Sequence, residues 1–366
     1  MPTLDQTVAR NFTHVNKWRE HGHDTIVAGF SRGASAGHGR AVDIILGEHG
    51  HGKLFSRIKM YKDSLTTLMS LLPRTQFVFV YTLDNFLIAW MAKVAARSDV
   101  KIVLFLMDIR DGFVGIDLFS KIVQQYLIFA FDQCEVIAVS SRHFIENFSR
   151  KYLNREPGKW IEIENKINPR EIGELSAQPP AAREGLVIGY IGALRCQRSL
   201  EVLYNLLANN RKLSLRISGV FVNVSDEIRS ALTELPNVEY TGPYNNPDDL
   251  EDIYRQIDIV WACYPYSPKV EGNYLWAKTN RFYEAGFFKK PMIASLGTVD
   301  AEFVETNQIG LVVDLSSVEA ACRQLDTIDG DRLRFWDEGY QRIPESKFVY
   351  GDDFARLFEL LQRKDQ

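Results

Sequence analysis

The chain has 366 residues, of which 46% are hydrophobic and 25% charged, and its formal net charge is −4. A chain of this length is too long for a single ordinary hydrophobic core and suits two α/β domains. The slightly negative net charge argues against nucleic acid as the main partner. No apolar run approaches the about 18 residues of a membrane span, and Met1–Asp5 lacks the basic and apolar parts of a signal peptide. The 4 cysteines lie far apart without metal spacing, which predicts free thiols in a reducing cytoplasm.

The first half alternates short apolar segments with helical patterns, which predicts a parallel sheet with helical crossovers. Residues 5–21 have the spacing of an amphipathic helix that ends at Gly22. A helix with a basic side is predicted from Lys53 to Leu72; a solvated surface is favoured for that side, with an anionic membrane as the alternative. The predicted strands are Thr25–Phe30, Ala41–Leu46, Phe77–Thr82, Lys101–Asp108 and Cys134–Ser140.

The polar, proline-containing stretch 169–184 is predicted to be a linker. We therefore expect a domain over residues 1–168, a second domain over 185–345, and a terminal helix within 346–366 that packs back on the first domain. In the second half the predicted strands are Leu186–Gly192, Leu213–Gly219, Val238–Thr241, Ile257–Tyr264, Pro291–Ser295 and Leu311–Asp314.

The segment from Thr279 to Ser295 is the most informative one. It predicts a helix of about two turns that ends before Pro291, followed by a buried strand, with Thr279 or Asn280 as the cap. Glu284 lies one turn past the cap, where a carboxylate can accept two hydrogen bonds from a ribose diol. Free helix amides and Arg281 can attract phosphate. An ordinary helix-to-strand connection is the alternative.

This segment resembles the nucleotide-sugar motif of GT-B-type glycosyltransferases, in particular the family-4-like enzymes, which carry Asn-Lys-x-x-Glu, a short helix and Gly-Lys-Pro before a strand. Asn280, Arg281 and Glu284 occupy the motif positions. The resemblance implies an α/β fold of two Rossmann-like domains facing across a cleft. It also implies a nucleotide diphosphate sugar as donor in the second domain, without a protein-bound metal or other cofactor.

The loop that opens the second domain resembles the family-4 pattern Gly-Arg-x-x-x-x-Lys. Gly192 begins this loop and Arg198 takes the lysine position, which implies that Arg198 contacts the diphosphate. Ala193 replaces the arginine of the pattern, and Arg195 is the candidate substitute. A solvated loop arginine is the alternative for Arg198 taken alone.

Further resemblances concern the base and the sugar. Gly242 follows a strand in a Thr-Gly-x-x pattern and is implied to lie beside the nucleotide base, where glycine permits close approach. Glu271 and Lys278 lie in an aromatic loop after a predicted strand and are candidate sugar contacts. Trp276 stands where many family members have a first glutamate, so the two-glutamate motif is absent.

By the same resemblance the first domain holds the acceptor. Asp84, Asp108 and Asp111 follow predicted strands at their carboxyl ends, at positions where the family's histidines are absent. These carboxylates can accept hydrogen bonds from acceptor hydroxyls, and one would be the general base if the reaction inverted the sugar. Asp108, Asp111 and Arg198 are therefore the candidate catalytic residues. Capping of the next helix is the alternative for each aspartate.

Two features of the first domain leave alternatives open. GT-B enzymes have a strand before their first helix, whereas only four residues precede the 5–21 helix here. Three explanations are compatible with this difference: a shortened chain, a true start that lies upstream, or a first sheet with one strand fewer. The densest histidine cluster, His49 and His51, lacks the spacing of a metal ligand set.

The resemblance predicts a glycosyltransferase that moves a sugar from a nucleotide diphosphate to a hydroxyl with retention, in bacterial-type surface polysaccharide or glycan synthesis. The enzyme is expected in the cytoplasm, with peripheral contact at the inner face of the membrane and a glycan or lipid-linked acceptor. The alternatives are a non-catalytic nucleotide- or sugar-binding subunit, favoured by the absent strand, Ala193 and Trp276, and a nucleotide-sugar epimerase. The sugar, the base, the acceptor and the oligomeric state stay open.

Overall fold

The computed structural model describes residues 9–31, 43–48, 54–173, 175, 185–266, 268 and 271–362. The chain forms two compact units, unit 1 of Met1–Glu164 and Asp352–Gln366 and unit 2 of Asn165–Gly351. His49 and His51, residues 5–8 of the first predicted helix, residues 41 and 42 of a predicted strand and most of the predicted linker lie outside the described residues.

Within these ranges the strands are β1 Ala28–Ser31, β2 Ile44–Glu48, β3 Phe77–Val80, β4 Lys101–Leu106, β5 Val136–Val139, β6 Trp160–Glu162, β7 Leu186–Leu194, β8 Leu213–Phe221, β9 Val238–Gly242, β10 Ile259–Trp261, β11 Met292–Ser295 and β12 Gly310–Val313. The α-helices are α1 Ala9–Glu20, α2 Leu54–Leu71, α3 Leu83–Ala96, α4 Leu118–Gln133, α5 Pro169–Ile172, α6 Gln197–Asn209, α7 Asp226–Thr233, α8 Leu250–Arg255, α9 Asn273–Trp276, α10 Asn280–Phe287, α11 Val299–Asn307, α12 Val318–Leu325, α13 Gly330–Tyr340 and α14 Ala355–Gln362. A π-helix spans Phe144–Leu153, and single 3-10 turns occupy Leu72–Arg74, Asp111–Phe113 and Glu345–Lys347.

Unit 1 contains a two-stranded sheet, β1-β2, and a four-stranded sheet, β3-β4-β5-β6, in which all neighbours are parallel. β4 and β5 are continuous apolar runs and are almost fully buried, as expected for parallel strands covered on both faces. The five predicted strands of this half are confirmed within a few residues. The sequence did not predict β6, because its three residues give no periodicity.

A cavity lies between the two sheets of unit 1. It is lined by residues of β1 and of β3, and by side chains of α1, α3 and α14 such as Trp18, Ile88 and Phe358. Within the described residues, neither β1 nor β3 has a second hydrogen-bonded neighbour in its sheet. The described part of unit 1 therefore has an interrupted sheet, with the interruption between β1 and β3.

Unit 2 contains a six-stranded parallel sheet in the order β12-β11-β10-β7-β8-β9. The predicted strands of this half are confirmed, and Asp258 anchors β7 because its Oδ2 accepts a hydrogen bond from Val187 N at 2.8 Å. β8 and β10 lie on opposite sides of β7, so the strand order reverses there. In open α/β sheets such a reversal opens a crevice at the carboxyl ends of the strands, where ligands bind.

None of the helices in the described ranges is both long and apolar enough to cross a lipid bilayer.

Candidate active site

Helix α10 carries the motif residues of unit 2. Thr279 is its cap, since Thr279 Oγ1 accepts a hydrogen bond from Phe282 N at 3.0 Å, which decides between the two predicted caps. The apolar face of α10, which includes Phe282 and Tyr283, is buried in the core. The helix ends at Phe287, and Lys289 follows with a left-handed backbone (φ 52°). This packing fixes the direction in which Glu284 points.

Glu284 is a buried carboxylate, with 4% of its surface exposed. Its Oε2 accepts a hydrogen bond from Tyr254 Oη at 2.7 Å, and Asn246 Nδ2 lies 3.5 Å from Oε1. Burial raises the pKa of Tyr254 well above its ordinary value, and the charge of Glu284 adds to the shift. Each carboxylate oxygen can accept more than one hydrogen bond, so these contacts leave capacity for the ribose hydroxyls that the sequence predicted.

Arg281 lies at the reversal of the strand order. Its Nη1 donates to the carbonyl of Ile191 in β7 at 2.9 Å, and its Nη2 donates to the carbonyl of Cys263 just after β10 at 2.9 Å. Its guanidinium carbon lies 5.3 Å from the centroid of the Tyr190 ring. The sequence predicted attraction of phosphate by Arg281; the structure adds that the side chain ties β7 to the segment that follows β10. A positive charge is thereby held at the crevice.

The loop after β7 leads into α6 and places Arg198 in its first turn. Cys196 caps this helix, because its Sγ accepts hydrogen bonds from Ser199 N at 3.3 Å and Tyr266 N at 3.2 Å. Arg198 Nη1 donates to Ser316 O at 3.3 Å, and Nε lies 3.3 Å from Glu201 Oε2. The Arg198 side chain keeps 34% exposure, and a partly solvated pair of this kind holds it weakly. Arg198 can therefore turn toward an anion.

Two glycines shape the same edge of the sheet. Gly192 has a φ of 94°, and a Cβ added to it would lie 3.9 Å from both Arg281 Nη1 and Tyr244 Oη. Gly242 ends β9 with a φ of 81°, beside a register shift in the ladder between β8 and β9. Arg195 is exposed in the loop after β7. The backbone is thus open to close approach at the positions that the sequence assigned to the donor.

The aromatic loop after β10 is only partly described, since residues 267, 269 and 270 lie outside the described ranges. Glu271 and Lys278 are half-buried and Asn280 is exposed. Lys278 Nζ lies 5.1 Å from the centroid of the Phe282 ring. Trp276 is buried at 6% exposure, so a core side chain takes the place of the family's first glutamate.

Asp300 is a site residue that the sequence did not reveal. It lies in the first turn of α11 at 1% exposure, and its Oδ2 accepts a hydrogen bond from Thr279 N at 3.0 Å. Its Oδ1 is buried without a hydrogen-bond partner among the described residues. Burial raises the pKa of Asp300 to about 7, against the opposing effects of Thr279, Lys278 and Arg281. Asp300 therefore holds the cap of α10, and through it the two motif residues Arg281 and Glu284.

In unit 1 the three predicted aspartates follow neighbouring strands. Asp84 is half-buried in the first turn of α3, and Asp108 and Asp111 are exposed after β4. Because β3 and β4 are parallel neighbours, the three carboxylates lie at one edge of the sheet. The side-chain caps of α3 and α4 are Thr82 and Asp117. The three aspartates remain predicted contacts of the acceptor.

No family model matches the chain. The chain is 27% identical over 321 residues to the succinoglycan biosynthesis protein ExoL of Rhizobium meliloti (strain 1021), covering 81% of this chain and 78% of that protein. Sucrose-phosphate synthase from Thermosynechococcus elongatus has a similar structure, with a TM-score of 0.71 at 13% identity over 98% of this chain and 94% of that one.

Anabaena HepE, solved in complex with UDP-glucose, is also similar, with a TM-score of 0.61 at 14% identity over 87% of this chain and 86% of that one. At such identities the solved structures establish the fold. The fold that the sequence predicts is confirmed: this chain has the fold of the GT-B-type glycosyltransferases.

Proposed function

We propose that the protein is a glycosyltransferase that moves a sugar from a nucleotide diphosphate to a hydroxyl of a glycan or lipid-linked acceptor. The observation that carries this proposal is the charge arrangement at the reversal of the strand order in unit 2. Arg281 is fixed between β7 and the segment after β10, Glu284 lies one helical turn beyond it, and Arg198 stands at the start of α6. HepE, whose fold is similar, was solved with UDP-glucose, which supports a nucleotide-sugar donor.

In this proposal each polar group of the donor has a partner. Glu284 accepts the ribose hydroxyls, and the base lies beside Gly242. Arg198 and the first amides of α6 bind the diphosphate, with Arg195 beside them and Gly192 giving room for close approach. The half-buried loop residues Glu271 and Lys278 contact the sugar, and exposed Asn280 lies beside them.

Transfer breaks the bond between the anomeric carbon and the diphosphate oxygen, the acceptor hydroxyl oxygen forms the new bond to that carbon, and the hydroxyl proton passes to the departing diphosphate. Negative charge then grows on the leaving diphosphate, so Arg198 and the helix amides stabilise the transition state more than the bound substrate. Because these groups supply the positive charge, we propose that the reaction needs no protein-bound metal or other cofactor. The product keeps the donor's anomeric configuration, and Asp84, Asp108 and Asp111 bind the acceptor.

The proposed setting is the synthesis of a surface polysaccharide or related glycan. ExoL is a succinoglycan biosynthesis protein by name, which supports this setting. The four cysteines are all free thiols, which supports a reducing cytoplasm as the compartment. Since acceptors of such pathways include lipid-linked ones, we also propose peripheral contact with the inner face of the membrane.

The test is a panel of uridine, guanosine and thymidine diphosphate sugars, with nucleotide release measured in the presence of lipid-linked and soluble acceptors. The proposal expects release from at least one donor, insensitivity to a chelator, and a product of retained configuration by NMR. Binding without release from any donor would favour the binding-subunit alternative. Interconversion of the sugar without an acceptor would favour the epimerase. An inverted product would refute retention and make Asp84, Asp108 and Asp111 the candidates for the general base.

A further inference from the structure

Four large apolar side chains project from one short segment of unit 1. Ile116, Leu118, Phe119 and Ile122 keep 88%, 75%, 66% and 60% of their surface exposed, and together we call them the apolar knob. Single exposed apolar residues are ordinary, but here four occur within seven consecutive residues, one before α4 and three in its first turns. They present on the order of 500 Å² of apolar surface, a patch size that marks interaction sites on soluble proteins.

The knob is held in this exposed position by hydrogen bonds. Asp117 caps α4, with its Oδ1 accepting from Ser120 N at 3.1 Å and its Oδ2 from Ser120 Oγ at 2.7 Å. Gln124 Nε2 donates to the carbonyls of Phe113 and Gly115 at 2.8 and 2.9 Å, which ties the preceding loop to the helix. The apolar side chains are thus presented on an ordered support, and their exposure is a property of the fold.

The knob lies near the predicted acceptor contacts. The loop from β4 to α4 contains Asp108 and Asp111 and ends at Ile116, the first residue of the knob. This loop leaves β4 at its carboxyl end, the edge where Asp84 also lies. A surface bound by the knob would therefore be near the acceptor carboxylates.

Area and charge decide what the knob binds. A stable protein interface needs about 800 Å² on each partner, which exceeds the area of this patch. The exposed charges around the knob are of mixed sign, Arg110 and Lys121 against Asp111 and Asp117, so they do not select an anionic surface. Apolar side chains on a polar support are suited to the boundary between lipid headgroups and acyl chains.

We propose that the apolar knob inserts into a lipid surface and brings the acceptor edge of unit 1 to it. This assignment rests on the membrane contact proposed above and gives that contact its residues. The sequence suggested a different membrane contact, namely the basic side of the Lys53–Leu72 helix. The side chains of Lys53, Arg57 and Lys59 on that helix lie outside the described residues.

The test compares binding of the full chain to phosphatidylcholine vesicles, with and without phosphatidylglycerol, by co-sedimentation. The doubly substituted Phe119→Ser/Ile122→Ser protein should bind both vesicle types at least ten-fold more weakly than the wild type. Phe335→Ser is the matched control, because Phe335 is a 48% exposed aromatic residue of unit 2, and it should bind like the wild type. Circular dichroism and nucleotide binding of the variants should be unchanged, since Phe119, Ile122 and Phe335 keep about half or more of their surface exposed.

Several results would overturn the proposal. These are absence of vesicle binding by the wild type, equal binding by the double variant, and binding that requires phosphatidylglycerol and disappears in high salt. A wild-type dimer that becomes monomeric in the double variant, measured by light scattering, would instead identify the knob as an interface between copies. Because nucleotide release is measured with a soluble acceptor, loss of vesicle binding and failure of the transferase proposal are separate outcomes.

Discussion

The buried carboxyl group of Asp300 makes a prediction about the pH dependence of stability. Burial raises its pKa from the ordinary 3.8 to about 7. Between about pH 4 and pH 7 the Asp300 carboxyl group is therefore protonated in the folded protein and ionised in the unfolded chain. As a result, the contribution of Asp300 to the free energy of unfolding falls as the pH rises through this range. Above about pH 7 the Asp300 carboxyl group is ionised in the folded and the unfolded protein, so the folded state carries the full free-energy cost of burying this charge. Asp300→Asn keeps an oxygen that can accept the Thr279 amide and removes the titration.

The magnitude follows from the shift, since one pKa unit corresponds to about 1.36 kcal/mol. Between about pH 5 and pH 8 the wild type should lose roughly 2–3 kcal/mol of unfolding free energy relative to the Asp300→Asn variant. Urea denaturation of both proteins at several pH values measures this difference. Glu305→Gln is the control, because Glu305 is an exposed carboxylate of the same helix. Stability curves of wild type and Asp300→Asn that stay parallel across this range would refute the reasoning.

Three further predictions concern the donor site. Glu284→Ala should weaken binding of the donor nucleotide by roughly 2–3 kcal/mol, the usual cost of losing charged hydrogen bonds, and unchanged affinity by calorimetry would remove Glu284 from the site. Arg198→Ala should lower kcat at saturating donor by about ten-fold or more, because negative charge grows on the leaving group in the transition state. The melting temperature should stay unchanged. An unaltered kcat would show that Arg198 is only a surface residue. Gly219→Ala should lower the melting temperature by several degrees, because the alanine Cβ in β8 would overlap the backbone carbonyl of Gly192 in β7. An unchanged melting temperature would show that β7 and β8 can move apart at little cost.

The sequence predicted where the strands lie along the chain because buried parallel strands are continuous apolar runs, as in β4 and β5. It also predicted the short helix around Glu284 and the strand after it, because the cap at Thr279 and the stop at Pro291 are local signals. The contacts that organise the site were not predictable, because they join distant residues. Arg281 binds the carbonyl of Ile191, which lies 90 positions earlier in the chain.

The role of Asp300 was hidden for the same reason. In sequence it is an ordinary acidic residue in the first turn of a helix, and only the fold brings it to the amide of Thr279. The apolar knob was hidden differently, since Leu118 and Ile122 fit an amphipathic pattern, and only the packing of α4 shows which of its apolar residues are uncovered.

In the proposed function, the carboxyl edge of the unit 2 sheet binds a nucleotide diphosphate through Glu284 and Arg198. Calorimetric titration of the purified chain with UDP, GDP and dTDP tests it most directly, with Glu284→Ala measured beside the exposed-carboxylate control Glu305→Gln. We expect one-site binding of at least one nucleotide, weakened in the Glu284 variant and preserved in the control. Absence of binding by all three nucleotides, or equal binding by a folded Glu284 variant, would contradict it.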